Sequence, residues 1–265
     1  MDTFAQFKLT QKQGWANFAP LEAATTPPAA RLVQFAGLQP GQRLLDVGCG
    51  TGVVAITAAR RGALVSALDL TPQLLERARE NARTAGVDVD WHEGDAEQLP
   101  FGDVEFDVVV SQFAHIFAPR PGVVTAEMLR VLKPGGTIAF STWPPDHLVG
   151  RTMAVGGRYM PPPPPGIAPP TLWGSPDFVR QQLGSAVRDL TFDNHTMLSP
   201  ALSPQHFRAN IERTAGPIIK LVELLNATNP QALESFRQEF DAIVNEYLHD
   251  NLVRQEYLLA RAVKC

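Results

Sequence analysis

LLDVGCGTGVV, residues 44–54, is the stretch on which the fold turns. A short apolar strand runs into Gly48, Gly50 and Gly52, and a helix opens at Val53. Glycines at alternate positions let the backbone turn sharply and leave room for a ligand where a Cβ would stand. Asp46 adds a carboxylate at the carboxyl end of the strand, facing the crevice where open α/β sheets take their ligands. A dinucleotide loop spaces its glycines G-x-G-x-x-G around a pyrophosphate. Here the spacing is G-x-G-x-G behind an acid, which repels pyrophosphate and suits a cationic amino group such as that of a methionine moiety. A second acid, Asp69, ends the next strand, where a carboxylate is a strong acceptor for a pair of ribose hydroxyls.

Outward from this loop, strands and helices alternate, the pattern of a parallel sheet covered on both faces. A helix over 29–37 precedes the first strand, 43–47, and a second helix runs from Val53 to Arg61 before Gly62. The second strand is 64–68. Thr71 and Pro72 then form an N-cap and first-turn pair for a helix closed by Gly86. Strands follow at 87–93 and 106–111. A helix over 122–132 ends in the breaker run Lys133–Gly136 before a fifth strand at 137–142. Residues 1–30 form a helical preface with a turn at Thr25–Pro28. After Trp143 the pattern changes: PPPPPGIAPP, 161–170, is a stiff proline-rich spacer. A strand at 186–192, helical stretches at 204–226 and 230–249, and a last strand near 257–263 complete the chain. The helices between the last two strands make a cap over one edge of the sheet.

DVGCGTG (46–52) resembles motif I of the class I S-adenosylmethionine-dependent methyltransferases. ALDLTPQLLERARENA (67–82), GDAEQLPF (94–101) and MLRVLKPGG (128–136) match the same family, in its ubiquinone/menaquinone-biosynthesis-like branch (methyltransferase type 11). The resemblance is specific over about 29–143 and loose elsewhere. It implies a seven-stranded, Rossmann-like, mostly parallel α/β sheet flanked by helices. It divides the chain into a helical segment (1–28), an S-adenosylmethionine-binding core (29–143), and a spacer, cap and final strands (144–265). It also implies that Asp46, Gly48, Cys49, Gly50 and Gly52 hold the methionine end and Asp69 the ribose. Leu70 would pack on the adenine, Asp95 would accept from its amino group, and Ala96 would offer a backbone amide. S-adenosyl-L-homocysteine would be the product. A turn-forming role is the plain alternative for Asp95, and helix capping for Asp69.

Methyl transfer from a sulfonium is an in-line displacement that gains from alignment and exclusion of water, and needs a base only when the acceptor must lose a proton. SQFAHIFAP (111–119) follows the fourth strand, where this fold addresses donor and acceptor. Ser111 and Gln112 are candidates for the methionine end, Phe113 and Phe117 for the walls, and His115 for the base, since imidazole titrates near neutral pH. The other readings of His115 are a helix-start histidine hydrogen-bonded locally and a cofactor-shell residue without proton transfer. Trp15 and Phe18 either anchor the preface to the core or close over the cofactor. Cys49 is expected to pack beside the glycines, and no cysteine or histidine cluster has metal-ligand spacing.

Net charge is −4, with 23 Lys and Arg against 27 Asp and Glu and no basic run, which argues against nucleic acid as a partner. Two cysteines make no disulfide framework, and no apolar stretch approaches the ~18 residues of a membrane span. A cytoplasmic enzyme acting on a small organic metabolite is the expectation, with the cap choosing the acceptor. A nicotinamide-dependent oxidoreductase and a non-catalytic cofactor-binding domain are the alternatives. Oligomeric state and the methylated atom are open.

Overall fold

The computed structural model describes residues 3–265. The preface holds α1 (Thr3–Trp15), a single 3-10 turn (Ala19–Leu21) and α2 (Glu22–Phe35). The core then alternates β1 (Arg43–Val47), α3 (Val53–Ala59), β2 (Leu64–Asp69), α4 (Pro72–Ala85) and β3 (Asp90–Glu93). It continues with β4 (Phe106–Gln112), α5 (Pro121–Val131) and β5 (Leu132–Thr142). Beyond it come α6 (Leu148–Tyr159), α7 (Pro176–Leu183) and β6 (Val187–Pro200). Three helices, α8 (Pro204–Thr214), α9 (Gly216–Thr228) and α10 (Pro230–Tyr247), precede β7 (Leu248–His249) and β8 (Leu252–Lys264).

The sheet order is β3-β2-β1-β4-β5-β8-β6, with the two-residue β7 beside β8 as an eighth strand. β1 to β5 pair in parallel, and β8 runs antiparallel to both β5 and β6. This is the expected mostly parallel Rossmann-like sheet: seven strands lie along one path, and a helical insertion stands between β6 and β8. Chain order reverses between β1 and β4, so the crevice beyond their carboxyl ends is the switch point where ligands bind. The two strands that flank it are apolar at their centres because helices cover both faces: Leu44, Leu45, Val109 and Val110 are fully buried. A second core, centred on Leu148, Leu221, Phe236 and Phe240, holds the cap helices together.

Several local expectations differ from the structure. Thr25–Pro28 is helix, not turn: α2 carries Pro27 and Pro28 inside it. The prolines leave two carbonyls without intrahelical partners, while the hydroxyls of Thr25 and Thr26 donate to the Glu22 carbonyl at 3.1 and 2.7 Å. Burial of Pro28, Ala29, Leu32 and Val33 fixes the rest. The Lys133–Gly136 run does not separate helix from strand. β5 starts at Leu132 and absorbs it as an irregularity, the register jumping from Phe106↔Leu132 to Val108↔Thr137. The single helix expected over 204–226 breaks at Ala215, where Gly216-Pro217 starts α9. Thr71 occupies the N-cap position of α4, yet its side chain makes no cap hydrogen bond. α6 and α7 had no sequence signal.

Candidate functional site

Asp46 is fully buried near the tip of β1. Its Oδ2 accepts from the Ala55 amide at 3.1 Å, at the start of α3, and its Oδ1 has no partner. Burial, with the negative Asp69 nearby, pushes its pKa up to about 7. The glycine loop folds back on β2: the amides of Gly48 and Cys49 donate to the Leu68 carbonyl at 2.8 and 3.0 Å. Gly48 has φ 72°, and a Cβ there would collide with the Ala114 Cβ. Gly50, at φ 53°, would meet nothing within 4 Å, so the loop is open at its middle. Cys49 is buried; burial and the two acids push its thiol well above the ordinary range, and packing is what it supplies.

Asp69 is held from both sides, its Oδ2 by the Gly50 amide and its Oδ1 by the Thr71 amide, each at 2.8 Å. Burial raises its pKa, and the Thr71 and Gly50 amides oppose the rise. The half-buried Leu70 follows directly. Asp95 makes the turn read for it, accepting from the Glu97 amide at 2.9 Å, and its other oxygen lies 2.5 Å from Lys8 Nζ. Ala96 is half-buried beside it.

The acidic rim is covered by α1. Lys8 also pairs with Glu97 at 2.6 Å, and the wholly buried Glu97 side chain takes Arg120 at 2.7 Å. Lys12 pairs with Glu93. Gln11 Nε2 donates to the Phe117 carbonyl at 3.0 Å, and the Trp15 ring sits 4.8 Å from that of Phe117. Trp15 thereby anchors the preface on the segment after β4. None of these lysines was read as functional, because their partners are distant in sequence; only the Lys8–Lys12 spacing on one helix face hinted at them.

At the end of β4 the Ser111 hydroxyl donates to the Val47 carbonyl at 2.7 Å and accepts from the His115 amide at 3.1 Å, tying β1 to β4. Gln112 Nε2 donates to the Thr25 carbonyl at 2.9 Å, which leaves Oε1 buried without a partner. Register places Asp46, Val110, Gln112 and Ser141 on one face of the sheet. Phe113, at φ 55°, stacks on Trp143 with centroids 3.9 Å apart, and Tyr257 meets it edge-on at 5.4 Å. His115 lies elsewhere. Its ring packs against Phe140 at 4.5 Å and Trp173 at 4.6 Å, both nitrogens lack partners, and burial lowers its pKa to about 3. It is uncharged at neutral pH and shielded by aromatics; the ring makes no local hydrogen bond, and its placement speaks against the base role. Among the described residues no group of His, Cys, Asp or Glu is placed to hold a metal ion, and no helix is long and apolar enough to cross a membrane.

The site combines a buried acid with one free oxygen, a glycine loop open at its middle, and a second acid held rigidly at the next strand tip. A methyltransferase-domain family model matches residues 45–140. Rv1403c of Mycobacterium tuberculosis, an uncharacterised protein, is 35% identical over 260 residues, covering 97% of this chain and 94% of its own. Among solved structures, BH2331 from Bacillus halodurans C-125 superposes with TM-score 0.60 at 24% identity, over 89% of this chain and 98% of its own. Phosphoethanolamine N-methyltransferase 2 of Haemonchus contortus, in complex with S-adenosyl-L-methionine, gives 0.57 at 20%, over 90% and 52%. Residues 45–140 form a methyltransferase domain, and the fold is that of the class I S-adenosylmethionine-dependent methyltransferases. The relatives that match it over nearly the full length include the mycobacterial protein Rv1403c.

Proposed function

We propose that this enzyme moves the methyl group of S-adenosylmethionine to a small organic acceptor, the 29–143 core holding the cofactor while 1–28 and 144–265 shape the acceptor side. One observation carries the reading: Asp46 is wholly buried, one oxygen is held by the Ala55 amide and the other is unpartnered. A buried carboxylate oxygen without a donor is costly unless a cation or donor completes it. The ammonium of the methionine moiety does so, with Gln112 Oε1 as a second acceptor. Asp69, fixed by two amides, takes the ribose hydroxyls. Leu70 lies against the adenine, Asp95 accepts from its amino group, and the Ala96 amide faces its ring.

When bound, the sulfonium supplies an electrophilic methyl group, and S-adenosylhomocysteine is left. The chain's own work is alignment and dryness. Ser111 acts by fixing the β1 and β4 tips. The Phe113–Trp143 stack and Tyr257 wall the acceptor side, and burial pushes the Tyr257 phenol up to about 12, so it keeps its proton at neutral pH and offers a hydrogen bond, not a base. We assign His115 to packing between Phe140 and Trp173. The ubiquinone-like branch remains part of the proposal, resting on the 67–82 and 94–101 matches. Calorimetry tests the whole: S-adenosylhomocysteine should bind, and Asp46→Asn should weaken it on the order of tenfold or more. Tight NADH binding with no uptake of S-adenosylhomocysteine would overturn it.

A further inference from the structure

An open surface pocket of about 510 Å³ lies outside the cofactor residues, between the segment joining α1 to α2 and the end of α8, with Asn17, Pro20 and Arg213 exposed around it. Ala16, Asn17, Pro20, Asn210, Arg213 and Thr214 line it. We propose that it is the subsite for an oxyanion, a carboxylate or phosphate, carried by the methyl acceptor. The inference rests on the methyltransferase reading for the word acceptor, and on its own geometry for the anion.

The lining is rich in donors and holds no acid. Asn17 and Asn210 offer amides and Arg213 a guanidinium, while the Thr214 hydroxyl is committed to the Asn210 carbonyl at 2.7 Å. Arg213 pairs with no carboxylate among the described residues, although Glu212 adjoins it in sequence. Glu212 is turned away: it takes Arg208 at 2.8 Å and Arg237 at 2.8 Å, and Asp241 takes Arg208 at 2.8 Å. α8 therefore turns one neutralised arginine to the cap interior and carries one exposed, unneutralised arginine on the lining of the pocket. A planar guanidinium with flanking amides matches a carboxylate or phosphate by paired hydrogen bonds. The volume falls in the range of small-molecule sites.

Its place fits an acceptor. Pro20 on the rim leads through Leu21 and Glu22 into the turn of α2 whose Thr25 carbonyl anchors Gln112. On the other side Thr214 leads to Gly216, where α9 meets α1 backbone to backbone: a Cβ on Gly216 would stand 2.7 Å from the Gly14 carbonyl carbon. Charge then orients the ligand. The Arg213 guanidinium attracts an anion to the cap side, and an acceptor held there by its charged end has its other end free to reach towards the methyl group.

The test uses the full chain saturated with S-adenosylhomocysteine and inorganic phosphate or acetate as probe, followed by amide chemical shifts. A second cavity of about 240 Å³, lined by Thr57, Arg60 and Arg61, serves as the control for unspecific anion binding. Saturable shifts at Asn17, Asn210 and Arg213 are expected, lost in Arg213→Gln, partly kept in Arg213→Lys, and untouched in an Arg60→Gln/Arg61→Gln double variant. Shifts that survive Arg213→Gln, or disappear equally in the double variant, overturn the subsite. Methyl transfer is then assayed on matched amines and phenols with and without a carboxylate or phosphate. The charged members should be preferred, and Arg213→Gln should raise their KM on the order of tenfold with kcat little changed. Equal use of the uncharged members refutes the acceptor class. If no compound is methylated, the phosphate shifts still decide the anion site, and only the methyltransferase reading is in question.

Discussion

Lys8 Nζ stands 2.5 Å from Asp95 Oδ2 and 2.6 Å from the buried Glu97, so the first helix of the chain is tied to the acid assigned to the adenine. The Lys8 side chain is 15% exposed and that of Glu97 fully buried, which makes this more than a surface ion pair. Lys8→Met leaves Glu97 with Arg120 alone, and should cost about 1–3 kcal/mol while loosening α1. Hydrogen exchange over residues 3–15 should rise, and S-adenosylhomocysteine should dissociate faster in stopped flow. An unchanged off-rate would show that α1 merely rests on the site.

The buried Asp46 predicts a pH dependence with a definite sign. Its pKa is raised in the folded chain to about 7, so folding takes up a proton between the unfolded value and 7. That contribution favours the folded state at low pH and is lost as pH rises towards 7, by at most about 4 kcal/mol, with Asp69 acting in the same direction. Asp46→Asn should therefore flatten the fall in stability between pH 5 and about 7, as denaturant titrations would reveal. Ligand affinity should run oppositely. The ammonium needs the ionised acid, so S-adenosylhomocysteine should bind more tightly at pH 8 than at pH 6, with proton release that calorimetry in two buffers detects. Proton uptake on binding would contradict the assignment.

His115 gives the opposite sign. Its pKa is lowered to about 3, so it is uncharged when folded, and stability is lost as pH falls below the unfolded value near 6.5. His115→Phe removes two unpartnered nitrogens from between Phe140 and Trp173 and should raise acid stability. The pH profile of methyl transfer should keep its shape in this variant. Loss of its acidic limb, with the fold intact by circular dichroism, would falsify the packing role and restore His115 as the base.

What was legible in the sequence is what local chemistry decides. The glycine loop, Asp46 and Asp69 at strand tips and the Gly86 cap are each settled by a few adjacent residues, and each stands where it was read. The cover over the site was not legible, since Lys8 and Asp95 are 87 positions apart and neither is unusual alone. α6 was missed because glycines argue against helix. Gly150 is nonetheless required there, as a Cβ would run into the Pro144–Pro145 backbone, whereas a Cβ on Gly156 would make only ordinary contact, 3.6 Å from Ile218 of α9. His115 drew attention by residue type, whereas its neighbours Phe140 and Trp173 are supplied by distant segments. In each case tertiary packing overrode a sound local rule.

The contact between Gly48 and Ala114 offers the sharpest test of the loop geometry. Gly48→Ala faces two penalties: a left-handed φ of 72°, which costs an L-residue about 1–2 kcal/mol, and a collision with the Ala114 Cβ. The collision lies between the glycine loop and the segment after β4, the two elements proposed to flank the methionine end. The single variant should lose S-adenosylhomocysteine affinity on the order of tenfold or more. Ala114→Gly removes the opposing methyl, so the double variant should recover most of the binding while keeping the smaller backbone strain in its melting temperature. If the double variant binds as poorly as Gly48→Ala, strain in the loop rather than closeness to Ala114 governs the site, and the spacing of those two elements is not what the glycine secures.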